Sequence, residues 1–164
     1  MTKIALQSAI GTDISNDQEA GVADGEYERF LQQFRSKWEP VGCIMRLPAL
    51  LRYNCHGLTF ASRRTWIDNP LLIPQLIDED GYRELNVNET PTAGDIVVYY
   101  DEIAQAEHSG IVVAAPENDH ALLQFPRVLS KWAKAFEVLH WAHQCPYESR
   151  FMRFYRLKEN TVKQ

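Results

Sequence analysis

Apolar positions change their period part-way along the chain, and that change predicts the fold class. Within residues 26–38, Tyr27, Phe30, Leu31, Phe34 and Trp38 recur at helical spacing, as on one face of an amphipathic helix. Asp24 is placed to cap that helix, and Pro40 with Gly42 to end it. Residues 58–66 offer Leu58, Ala61, Thr65 and Trp66 to a core and predict a central helix that Asn69-Pro70 stops. Residues 71–80 predict a further short helix, closed by the acidic turn Asp78-Glu79-Asp80-Gly81. Residues 82–87 alternate weakly, as a strand or an extended arm does.

From residue 91 onward the period shortens to two. Pro91-Thr92-Ala93-Gly94-Asp95 reads as a turn, and the β-branched and aromatic run 96–100 as a strand. Residues 108–114 form a second strand and 116–119 a hairpin turn. Residues 121–132 predict a third strand, and a fourth if Pro126 breaks the run. Residues 151–157 predict a closing strand. Residues 43–51, interrupted by Pro48, read as a connector, and 11–25 as a loose loop. Helices followed by an antiparallel sheet give an α+β domain. The expected organisation is a flexible arm over 1–25 and a single domain over 26–164.

Composition narrows the function classes. A chain of 164 residues, 45% hydrophobic and 24% charged, suits one folded domain and excludes global disorder. A formal net charge of -5 argues against a general nucleic-acid or anionic-membrane binder, since both need a basic face. Cys43, Cys55 and Cys145 are an odd count without a close pair, which fits a reducing compartment rather than a disulfide framework. Residues 1–10 are too short and polar for a secretory signal, and no run reaches the length of a membrane span. The expectation is a cytoplasmic product as synthesised, with any export by a non-standard route.

Chemistry centres on the stretch Tyr53-Asn54-Cys55-His56-Gly57-Leu58. A thiol between a turn-forming Asn and a Gly, at the start of an apolar helix, sits where helix N–H groups favour a thiolate. The plainer alternative is a small buried hydrophobe, as most free cysteines are. His108 opens a strand, so the scaffold can aim it, and a Cys–His pair makes a nucleophile because the imidazole takes the thiol proton. A third polar group should orient the ring. His120, before the next strand, and Gln124, on it, are both placed to do so. His140, His143 and Cys145 raise the question of zinc, but nothing elsewhere supplies a second ligand pair. Neither metal nor cofactor is expected. That segment reads instead as a cleft loop in which His140 or His143 touches substrate.

The order Asn-Cys-x-Gly-Leu, then Pro-x-x-Gly-Asp-Ile-Val-Val-Tyr-Tyr, then His-Ser-Gly-Ile-Val-Val resembles the papain-like cysteine hydrolases of bacteria, the NlpC-type and CHAP-type amidase and peptidase group. The likeness spans about residues 53–124. It implies a papain-like fold, with Cys55 as nucleophile, His108 as general base and His120 or Gln124 as third residue. It also implies the Cys55 backbone N–H in the oxyanion hole, with Tyr53 placed to add a phenol donor. The group commonly has Asp-Cys-Ser-Gly where this chain has Asn54-Cys55-His56-Gly57, and that departure bears on substrate recognition. The implied partner is a peptide or amide, a cell-wall peptide first, without nucleic acid or membrane. Deamidation or acyl transfer on an intracellular target uses the same chemistry, and a non-catalytic papain-like binding module is the reading from a different class. The oligomeric state is left open.

Overall fold

In a computed structural model of the chain, residues 3–18, 24–47, 50–115, 125–132 and 134–159 are described. The aromatic stripe forms α1 (Asp24–Gln33), which runs on through a π turn, Phe34–Trp38, and a 3-10 turn, Glu39–Val41. Gly42 closes that run at φ +88°. The wider π turn carries Phe34 and Trp38 against Trp132, with Trp38 edge-on to it at 5.2 Å between centroids. Then follow β1 (Ile44–Leu47), α2 (Cys55–Phe60), α3 (Leu72–Glu79), β2 (Tyr82–Glu84), β3 (Ile96–Tyr100) and β4 (Ala106–Ala114). The chain ends through β5 (Arg127–Lys131), β6 (Glu137–Trp141) and β7 (Arg153–Leu157).

The strands form one antiparallel sheet in the order β1-β6-β5-β4-β3-β7-β2. The expected α+β class is what the described residues form. β3 is buried along its whole length because both faces of the sheet are covered. Ile96, Val98 and Tyr100 join one core with Leu6, Ile14, Ile67 and the α3 residues Ile73, Leu76 and Ile77. Val97 and Tyr99, pointing the other way, join a second core with Phe34, Val128, Trp132, Phe136 and Val138. Among the described residues no helix is long and apolar enough to cross a membrane.

Four expectations are corrected. Residues 44–47 are not a connector but an edge strand, with Ile44 facing Leu139 of β6. Residues 140–145 are not a cleft loop throughout, since His140 and Trp141 end strand β6. Residues 3–18 are not a loose arm. Asn16 accepts from Ile4 N and Thr65 Oγ1 and donates to the carbonyls of Ile4 and Ile14, and Leu6 and Ile14 are buried.

The fourth correction concerns the central helix, which stops at Phe60 instead of running to Trp66. Ser62 and Arg63 both take positive φ, +48° and +65°. Arg63 N then donates back to Gly57 O at 3.0 Å, a carbonyl that Ala61 N also reaches at 3.2 Å, so the chain wraps back over the end of the helix. The chain returns so tightly that a Cβ on Gly57 would lie 1.7 Å from Thr65 O. Two non-glycine residues in the left-handed region are a costly stop, and they matter because they turn Arg63 toward the sheet.

Candidate functional site

Asn54 sets the position of Cys55. Its Oδ1 accepts from Gly57 N at 2.9 Å, capping α2, and from Ile67 N at 3.2 Å. Its Nδ2 donates to Ile67 O at 2.9 Å and to Asp68 Oδ1 at 3.3 Å. These last two bonds need an amide. An Asp here would set a carboxylate against a carbonyl and another carboxylate, so the loop after α2 requires the amide of Asn54.

Cys55 follows the cap and is 6% exposed. Burial pushes its thiol up to about 11. The backbone N–H groups of Ser109, His56 and Cys55 itself work in the opposite direction, toward the thiolate, and Asp68 works against it. In the resting structure desolvation wins, and the group is a thiol.

His56 straps α2 to β4. Its Nδ1 lies 2.9 Å from Ser109 Oγ, and its ring also engages the Ala106 backbone carbonyl. Ser109 Oγ lies 2.9 Å from Thr59 Oγ1, which donates to Cys55 O at 3.0 Å. Burial lowers His56 to about 4, so at neutral pH it is an uncharged structural link.

The same face of the sheet carries a charged group that no motif announced. Lys131 and Glu137 face each other across β5 and β6, and both are buried. Glu137 Oε1 accepts from Tyr53 Oη at 2.6 Å and from Arg63 Nε at 2.5 Å, while Oε2 accepts from Arg63 at 3.1 Å. Burial opposes the Glu137 charge, but Arg63 and Tyr53 hold its carboxyl below the ordinary value. The Lys131 ammonium donates to Ala135 O and lies 5.5 Å from the centre of the Tyr53 ring. Burial lowers it to about 8, with Glu137 and Cys55 opposing the shift.

His108 lies on the other face. Its ladder partner is Tyr99, their ring centroids are 5.3 Å apart, and Tyr147 stacks on the imidazole at 3.8 Å and 8°. The ring is fully buried. Among the described residues neither of its nitrogens has a hydrogen-bond partner. Burial, then His140 and His56, lower it well below the ordinary histidine value, so it is a neutral imidazole with a free acceptor. No hydrogen bond joins it to Cys55. The two meet at the backbone, because Ser109, whose N–H acts on the sulfur, is the next residue along β4.

The other expected site residues fall elsewhere. Tyr53 is not a free oxyanion donor, since its hydroxyl is committed to Glu137, and burial and that bond raise it. His140 is not a substrate contact: it is fully buried, with Nε2 2.7 Å from Ser130 Oγ and Nδ1 2.8 Å from Trp141 O. His120 and Gln124, the alternatives for the third residue, lie outside the described residues. His143 packs against Phe125 at 4.2 Å. No family model, no curated protein and no solved structure matches the chain.

Proposed function

We propose that the protein is a cysteine-dependent amide hydrolase of papain-like architecture, with Cys55 as nucleophile and His108 as general base. The observation that carries this reading is the unpartnered imidazole of His108. A buried polar group left without a partner costs about 1–3 kcal/mol, and such groups persist where a function uses them. Here the ring adjoins Ser109, whose N–H is one of three backbone groups that favour the Cys55 thiolate. On activation the S–H proton passes to an imidazole nitrogen and sulfur attacks the carbonyl carbon. The imidazolium then protonates the leaving amine, and water releases the acyl group. In the resting structure the ring lies on the face of the sheet away from α2, so transfer requires a rearrangement of β4 that turns the imidazole to the sulfur's side. The leading substrate is a peptidoglycan peptide, followed by a protein glutamine side chain.

The raised thiol and the missing Cys55–His108 bond favour a second reading, a papain-like binding module without turnover. Alkylation rate against pH, measured on all three thiols, separates the two. An enzyme shows Cys55 reacting below the ordinary cysteine value near 8.5 once substrate is bound, with loss of that reactivity in His108→Ala. Incubation with cell-wall fragments should then leave an acyl mass on Cys55. Three thiols that alkylate alike, with and without fragments, sink the enzyme reading.

A further inference from the structure

We infer that Lys131 is the counter-ion of the Cys55 thiolate, a positioning residue that holds the nucleophile as an anion while His108 carries its proton. This role rests on Cys55 being the nucleophile. Lys131 is fully buried, and a buried ammonium is costly unless it is paired. The carboxylate nearest to it along the ladder is taken: both oxygens of Glu137 are bonded by Arg63, and one also by Tyr53. Among the described residues, Lys131 has a carbonyl and the face of a tyrosine ring, and no carboxylate within ion-pair distance. Arg63 and Glu137 cancel, so the group keeps one uncompensated positive charge under α2.

The sheet register points that charge at the sulfur. Gly110 pairs with Ser130, so Ser109 and Lys131 are lateral neighbours on the face that α2 covers. The sulfur of Cys55 already engages the Ser109 backbone there. Cys55 favours the charged form of Lys131; attraction between opposite charges is mutual, though burial, the three backbone N–H groups and Asp68 are the larger influences on the thiol. The remaining charged or titratable groups around the sulfur are Asp68 in the loop after α2, His56 on α2 and His108 on β4. Asp68 opposes the thiolate and the two histidines are neutral in the resting state, which leaves Lys131 as the cation. In the step itself the S–H bond breaks, an N–H bond forms on His108, and the Lys131 protons stay where they are.

Two measurements test this. In Lys131→Met the alkylation profile of Cys55 should move up by at least one pH unit, slowing its reaction at neutral pH about tenfold. Lys131→Arg should restore most of the rate, and the rates at Cys43 and Cys145 should stay as in the parent. Because Lys131→Met removes a buried group and can misfold, the reciprocal effect is read in Cys55→Ala, where the Lys131 amine should titrate lower by NMR than in the parent. A Cys55 profile unmoved by Lys131→Met in folded protein, or a Lys131 titration indifferent to Cys55, overturns the assignment. Failure of the hydrolase reading looks different: the two groups remain coupled in both measurements, but no amide is turned over and no acyl mass appears.

Discussion

The two faces of the sheet solve the problem of a buried histidine in opposite ways. On one face His56 is tied by Ser109 and the Ala106 carbonyl, and its ring serves as a strap between α2 and β4. On the other, His140 is tied by Ser130 and Trp141, while His108, which interacts electrostatically with both, has its two nitrogens bare under Tyr147. Three imidazoles of similar burial therefore fall into two kinds. Satisfied rings hold the fold together, and the bare one is tolerated despite its cost.

The contrast can be broken most severely at the close approach under α2. Gly57→Ala should destabilise the fold by about 4 kcal/mol or more, since the new Cβ meets the Thr65 carbonyl and backbone must move. Gly110→Ala, on the far face, meets Val128 Cγ1 at 2.6 Å, a side-chain atom, but also Leu129 O at 3.0 Å. Its cost should be smaller, and urea midpoints of the two variants rank the faces.

Acid should break the satisfied rings next. His56 and His140 both fall from an ordinary value of 6.5 to about 4 on folding, so the unfolded chain binds protons first. Their contribution is fully present above pH 6.5 and is lost as pH falls toward 4, by roughly 3 kcal/mol each. Stability that stays flat between pH 6.5 and 4 would show that neither ring is neutral in the fold.

Smaller effects sharpen the comparison of individual rings. His140→Leu leaves the Ser130 hydroxyl with only the Trp132 Nε1 bond and the Trp141 carbonyl without its ring partner, and should cost about 2 kcal/mol in urea unfolding. His108→Leu removes two bare nitrogens along with the Tyr147 stack, and stability should stay within about 1 kcal/mol of the parent. If both variants lose the same stability, the His108 ring has a partner in solution and the contrast dissolves.

Much of the sheet was legible because Ile96 to Tyr100 and Ile111 to Val113 are β-branched or aromatic almost throughout. β6 was not, because Glu137 and His140 put polar side chains into buried positions, and a run with buried polar residues does not alternate visibly. The end of α2 was missed since Ser62 and Arg63 take left-handed conformations without a glycine to announce them. Cys55 and His108 stood out by residue type and by an expected position at the start of an element; Cys55 does open α2, while β4 begins two residues before His108, at Ala106. Lys131 and Glu137 did not: neither belongs to a motif, and no strand was expected over 137–141. Only the sheet register places them beneath a helix.

The order of the sheet also bears on how the chain is made. β3 to β6 lie side by side in the sheet in the order of synthesis, whereas Ile44 of β1 must find Leu139 and Tyr82 of β2 must find Leu157. α2 has no floor until β4 and β5 exist. On a ribosome, then, the Cys55 thiol emerges early and stays in water until the last strands arrive, at its most oxidisable and least useful. Pulsed thiol labelling of stalled nascent chains should find Cys55 open in chains ending before β5 and closed once β7 is released.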